Sequence, residues 1–266
     1  MSETRISAAA FADTKPHYEL LDGLRGVAAL LVVFYHIFEG LSFAAGGTLI
    51  TTINHGYLAV DFFFILSGFV IGYAYDDRWN RMSTGTFFKR RLIRLQPMVI
   101  MGSIVGAALF WFQDAPCYPA MEGVSAGAVL LVMLLGCTLL PLPLKWDVRG
   151  WMEMHPLNGP AWSLYYEYIG NILYALFIRK FSKTALTVLV AIAACFTVHR
   201  CLTAPAGDIV GGWALNWEQQ YVGLVRLMYP FFGGLLLSRL GWLIRTRKNA
   251  FGWCSLMIIA VLSAPR

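Results

Sequence analysis

Arg25 and His36 lie eleven positions apart, and the stretch Val27 to Tyr35 between them is apolar throughout. An arginine offers a permanent cation with a planar donor fork suited to phosphate or carboxylate, and a histidine offers a base or nucleophile that works near neutral pH. In a helix, eleven residues amount to about 16.5 Å of rise and only about 20° of rotation, so the two side chains share a face. Ionisable groups inside an apolar helix are costly and mark functional sites by default. The alternative is that Arg25 snorkels to a membrane interface while His36 bonds a neighbouring helix. Glu39 follows closely behind.

Other chemistry-bearing residues are spread along the chain. Asp61 sits beside Phe62, Phe63 and Phe64 and needs a partner, such as the histidine or arginine of the first apolar segment. Ser67 and Gly68 in the same string permit close helix approach or contact with a ligand. The run Phe87 to Pro97 holds Lys89, Arg90, Arg91 and Arg94 and predicts an interfacial basic helix that ends as the next apolar segment begins. Arg91 and Arg94 are three apart and share a face that could bind phosphate, although marking topology or touching lipid head groups is the commoner role. Glu167 falls one turn into the helix opened by Asn158 to Trp162, with Asn158 and Ser163 as candidate caps and Trp162 as a belt residue. It faces protein or water, acting in the reaction or bracing a loop. Arg226, with Tyr229, Pro230 and Phe231 to Gly234, suggests a kinked, closely packed helix with one buried cation.

The elements that position these groups must be membrane helices. Hydrophobic residues make up 58% of the 266 residues and charged ones 14%, against about 25% charged in ordinary soluble domains. The formal charge is +6, from 21 Lys and Arg against 15 Asp and Glu. These charges fall in short clusters between apolar runs, which marks topology and does not indicate a nucleic-acid partner. A transmembrane barrel would show weaker, alternating segments. Apolar segments near 20–38, 54–75, 97–113, 124–144, 162–178, 184–199, 221–238 and 250–264 therefore predict an all-α, polytopic transmembrane bundle of about eight helices.

Arg78, Arg81, Lys89, Arg90, Arg91 and Arg94 cluster between segments two and three, which places that loop and the N-terminus in the cytoplasm. The loop holding Asp114 and Glu122 has no Lys or Arg and suits the outside. Strict alternation then puts Arg179, Lys180 and Lys183, and later Arg239, Arg245, Arg247 and Lys248, on the wrong side. One parity step must be a re-entrant or broken helix, in segment three, segment four or the stretch Lys145 to Ala161.

The five cysteines form no C-x-x-C pair, and neither a zinc site nor a disulfide framework is read from them. Residues 1–19 lack a signal-peptide core and are expected to be a cytoplasmic N-terminal segment, with 20–266 as the membrane domain. The last helix stops at Ala264 to Arg266 with no flanking loop, so a C-terminal continuation of the fold is expected.

Taken together, Arg25 and His36 with ten residues between them, the Gly56 to Ile71 string, the Phe87 to Pro97 run, the Trp162-Ser163-Leu164 to Glu167 string and Phe232-Gly233-Gly234 resemble the acyltransferase-3 family. Its members are membrane O-acyltransferases of bacterial surface glycans and related acceptors. The resemblance runs in order across most of the chain; the first two motifs are specific and the later ones looser. It implies about ten helices in a whole member, an inner-membrane location and an acyl-coenzyme A donor, most often acetyl-coenzyme A, entering from the cytoplasm. It implies no metal cofactor, and an acceptor that is a glycan or lipid-linked sugar. Arg25 would hold coenzyme A phosphates, with Arg91, Arg94 and Ser67 assisting. His36 would be the general base or the nucleophile of an acyl-imidazole, with Asp61 and Glu167 as further catalytic groups; Asp61 or Glu39 would fix the imidazole tautomer, Glu39 otherwise facing water at the interface.

Two other readings compete. A proton-coupled transporter of a small anionic or sugar-like substrate also needs an intramembrane Arg, His, Asp and Glu set. A non-catalytic scaffold in a glycan-export assembly would tolerate loss of His36.

Overall fold

A computed structural model describes residues 15, 18–46, 54–113, 123–241 and 248–265. Among them are eight α-helices and no strand: α1 Glu19–Ala44, α2 Ala59–Tyr75, α3 Thr84–Phe112, α4 Ala126–Gly136, α5 Ala161–Leu176, α6 Lys183–Thr203, α7 Trp217–Leu240 and α8 Ala250–Ser263. Five of them, α1, α2 with its preceding turn Gly56–Leu58, α3, α6 and α7, are long and apolar enough to cross a membrane. Large apolar side chains lie bare on their outer faces, with Leu109 67% and Leu202 80% exposed. A surface of this kind is stable against lipid rather than water.

The third helix starts well before its apolar stretch. Ser83 caps it, its hydroxyl accepting from the Thr86 amide at 3.1 Å, and the helix then continues through Pro97 to Phe112. The basic run and the third apolar segment are therefore one element. Proline removes one backbone donor, a cost that intramembrane helices absorb when neighbouring groups supply partners.

α2 and α7 form the centre. A Cβ on Gly68 would run into the Phe231 carbonyl oxygen, and one on Gly234 into the Ile65 carbonyl oxygen. The two backbones approach so closely because neither position carries a side chain. Around this seam pack Phe64, Ile71, Tyr166, Tyr174, Leu227, Phe231, Phe232 and Leu235. α1 lies against α2 and α8, burying Leu24, Ala28 and Tyr35 along one stripe.

Contacts along the helices settle the parity conflict. α4 has only 11 residues, about 16 Å. It descends beside α3 from Phe110 and Ala107, meeting Val129 and Val132, until the Gln96 side chain donates to the Cys137 carbonyl. There Leu139 adopts φ 62° and the chain turns back. Leu142 returns to the level of Ala107 and Phe110, and α5 then starts beside Val99, about halfway along α3. Segment four is thus a re-entrant element, tolerable because protein surrounds it. With α4 not crossing, α5 delivers Arg179 to the end that carries Arg78 and Arg81. Arg239 there bonds Asp76 at 2.7 Å and the Phe181 carbonyl at 2.9 Å, and the Arg179 guanidinium lies 4.0 Å over Trp79. At the same end Phe251 of α8 packs on Gly23 of α1, whereas at the opposite end His55 meets the Ala264 carbonyl at 3.0 Å. All described cation clusters then share one end, called the cationic end below. The loop holding Asp114 and Glu122 lies outside the described residues.

Candidate active site

α1 carries Arg25 near the cationic end and His36 eleven residues on, toward the far end, in one unbroken helix. Each follows a residue of the buried stripe, Leu24 and Tyr35, so both flank it on the same side. Tyr35 is locked by Gly56, where any Cβ would meet its ring. His36 is held at that register while its own ring stays half exposed. Its Nδ1 meets Glu39 Oε2 at 2.8 Å. An N–H donated from Nδ1 to a carboxylate fixes the tautomer and leaves the lone pair on Nε2. Among the described residues none bonds Nε2. Arg25 is about one-third exposed, 3.8 Å from Asp22.

A second group is buried where α2, α3 and α5 meet. Glu167 Oε1 accepts from the Ser67 hydroxyl at 2.6 Å and from Arg91 Nη2 at 2.5 Å. Arg91 is 2% exposed, and among the described residues its Nε has no partner. Beside it Tyr168 donates to Gln96 Oε1 at 3.2 Å. Three residues singled out in the sequence, Ser67, Arg91 and Glu167, are therefore one cluster. Arg94 is exposed on α3, so the shared face of Arg91 and Arg94 is divided between protein interior and surface.

A third group ties α2 to α7. Arg226, 2% exposed, donates to Asp61 Oδ2 at 2.7 Å, to the Tyr57 carbonyl at 2.8 Å and to the Gly211 carbonyl at 3.2 Å. Its guanidinium faces Trp162 at 5.0 Å. Asp61 thus finds its partner on α7 rather than on α1. At the cationic end Asp76 repeats the theme with Arg239, and the Tyr174 hydroxyl donates to Asp76 at 2.8 Å.

The loop between α4 and α5 adds a group that the sequence did not mark. Asp147 accepts from the Arg149 amide at 3.0 Å and the Glu153 amide at 3.2 Å, and Arg149 Nη1 donates to Glu153 Oε2 and the Pro156 carbonyl, both at 3.1 Å. Burial raises the Glu153 carboxyl to about 7, against the lowering effect of Arg149. In the same loop His155 meets the Leu139 carbonyl at 3.2 Å, and burial lowers its proton affinity. A spacing signal for these residues is absent; only the suspicion of a re-entrant stretch between Lys145 and Ala161 points there. Among the described residues no group of three or more His, Cys, Asp or Glu is arranged to hold a metal ion, and Cys137, Cys195, Cys201 and Cys254 are free.

The described residues form an all-helical bundle in which five helices are long and apolar enough to cross a membrane, the architecture of a multi-pass membrane protein. Residues 18–266 match the model of the acyltransferase-3 family, described as an acyltransferase domain, and the chain belongs to that family. It is 34% identical over 165 residues to "Protein 2 in picA locus" of Rhizobium radiobacter, covering 59% of this chain and 80% of that protein. It is 30% identical over 166 residues to "Acyltransferase MdmB" of Streptomyces mycarofaciens, covering 61% of this chain and 40% of that protein. No solved structure matches. The protein is a membrane acyltransferase.

Proposed function

We propose that the protein moves an acyl group, acetyl in the first instance, from acyl-coenzyme A at the cationic end to a hydroxyl of a cell-surface glycan or similar acceptor at the far end. The observation that carries this reading is the His36–Glu39 bond of 2.8 Å on the same helix flank as Arg25. The cationic end is taken as cytoplasmic by the positive-inside rule, with residues 1–19 on that side and the bilayer taken to be the bacterial inner membrane. Exposed Arg25 and Arg94 would hold the coenzyme A phosphates, and the pantetheine arm would run along α1 toward His36. Arg91, already ion-paired, would instead hold Glu167 and Ser67 in place between α2, α3 and α5.

With Nδ1 tied to Glu39, Nε2 would take the proton of the acceptor hydroxyl as its oxygen attacks the thioester carbonyl. The C–S bond then breaks, and the imidazolium returns the proton to the departing thiolate. In the nucleophilic variant Nε2 attacks first, an acyl-imidazole and a free thiol form, and the acceptor hydroxyl discharges the acyl group. Brief incubation with labelled acetyl-coenzyme A without acceptor separates the two: label retained on His36 after rapid quenching identifies the nucleophile, and no retained label identifies the base.

One observation favours transport as a second reading. α4 and α5 are broken elements that meet at mid-depth, an arrangement used by carriers. Proteoliposomes decide between them. Acyl transfer to a glycan fraction supports the enzyme, whereas flux of an unmodified substrate with no covalent change supports the carrier.

A further inference from the structure

Between α6 and α7 runs an apolar groove of about 240 Å³, its wall built by side chains that include Leu189, Ala193 and Phe196 on α6 and Tyr221, Val225 and Met228 on α7. Each set recurs about one turn apart, so each helix contributes a single stripe. Phe196 is 52% exposed, and the groove therefore opens toward the bilayer. Both stripes end in a charge. Arg200 lies one turn beyond Phe196, and Glu218 one turn before Tyr221, with Arg200 Nη2 and Glu218 Oε1 3.9 Å apart, too far for a hydrogen bond. The Arg200 side chain is 15% exposed and that of Glu218 73%. Arg200 Nε is shut off from solvent and has no partner among the described residues.

Depth gives this arrangement a meaning. α6 starts at Lys183, at the cationic end, and the seventeen residues from there to Arg200 span about 26 Å, close to the ~30 Å of a bilayer's hydrocarbon. Trp217 next to Glu218 is 86% exposed, as a belt residue at the interface would be. The charges thus stand at head-group level in the far leaflet, over a slot at the level of the acyl chains.

We propose that this groove binds a phosphoethanolamine lipid of the far leaflet, one acyl chain in the slot, its phosphate on Arg200 and its primary ammonium on Glu218. Charge complementarity selects this head group. A purely anionic one would gain Arg200 but be repelled by the open Glu218 carboxylate a few ångströms away. A choline head carries no N–H to donate to that carboxylate, whereas an ammonium donates and neutralises it. The site shares no residue with the α1 flank and stands independently of the role of His36.

The test titrates the full chain in detergent with phosphatidylethanolamine, phosphatidylglycerol and phosphatidylcholine of identical chains and reads the retained lipid by native mass spectrometry. Wild type is expected to hold one phosphatidylethanolamine about fivefold more tightly than either of the others. Glu218→Gln, at an exposed position that folding tolerates, should erase the preference over phosphatidylcholine. Arg200→Ala should weaken all three lipids, and Arg200→Lys should weaken them less, since it keeps a charge but loses the planar fork. Ala193→Phe, which fills the slot, should remove the retained lipid. Equal retention of the three lipids by wild type overturns the proposal, as does a preference left unaltered in both Glu218→Gln and Arg200→Lys. A polyprenyl phosphate that displaces phosphatidylethanolamine from wild type at lower concentration also overturns it, because that lipid has no ammonium for Glu218.

Discussion

The seam of α2, α5 and α7 and the flank of α1 both carry charges within the bilayer, but they treat them differently. In the seam, and where α3 meets it, three cations each have an anion: Arg91 of α3 with Glu167, Arg226 with Asp61, Arg239 with Asp76, at 2.5–2.7 Å. Arg91 and Arg226 are nearly inaccessible. On the α1 flank Arg25 and His36 stay partly open, and among the described residues none bonds the second nitrogen of His36. A buried ion pair fixes geometry at a desolvation cost. An oriented group with a free lone pair can meet a substrate. The seam therefore reads as the frame and the α1 flank as the working surface.

The largest effect should come from breaking the frame. Arg91→Ala would leave Glu167 buried without its cation and is predicted to cost about 3–5 kcal/mol of stability, whereas the joint replacement Arg91→Met with Glu167→Leu should recover most of it. Thermal unfolding in nanodiscs measures both. If Arg91→Ala unfolds at the wild-type temperature, the seam is not a frame.

Glu153 should give the next largest signal, and its sign is opposite to that of an ordinary ion-paired carboxylate. Its folded proton affinity is raised from 4.5 to about 7. The folded state holds this proton more tightly, so the stabilisation is complete below about 4.5 and is lost as pH rises through about 7. The shift corresponds to roughly 3 kcal/mol. Wild type should lose stability across that window and Glu153→Gln should not; identical pH dependence in the two would contradict the burial of this carboxyl.

Closing the gap between α2 and α7 should cost less. Gly68→Ala puts a methyl against the Phe231 carbonyl and is predicted to destabilise by about 1–3 kcal/mol, again read from thermal unfolding. The smallest stability effect belongs to the working surface. Arg25→Ala should change stability by less than about 1 kcal/mol yet weaken coenzyme A binding, and Arg25→Lys should restore part of that affinity, because a point charge attracts phosphate without the planar fork. Calorimetric titration with coenzyme A reads the difference. Full affinity in Arg25→Ala would move the donor site elsewhere.

Much of this contrast was legible in the residues. Apolar runs located the eight described helices because burial in lipid demands them. The spacing of Arg25 and His36 gave their common flank, since rise and rotation per residue are fixed. Asp61 and Arg226 were each recognisable as buried charges, yet 165 positions separate them, and periodicity carries no information about which helices touch. The union of Ser67, Arg91 and Glu167 was hidden for the same reason. α4 read as a full segment because Thr138 to Leu144 is nearly as apolar as a helix. Its early stop depends on Leu139 at positive φ and on the Thr138 hydroxyl bonding the Leu135 carbonyl at 2.6 Å. Glu153 gave no sign at all, because its surroundings are made by the irregular loop around it, Asp147, Arg149 and Gly159.

The central claim, that the α1 flank does the chemistry and the seam only holds it, is tested most directly by His36→Ala assayed two ways in one nanodisc preparation. Coenzyme A affinity and transfer of labelled acetyl to the glycan fraction of the source cells are measured side by side. The account predicts donor affinity within about twofold of wild type and transfer reduced by at least about a hundredfold, the scale of a lost general base. Transfer near the wild-type rate with donor affinity intact would contradict it and return His36 to a structural role.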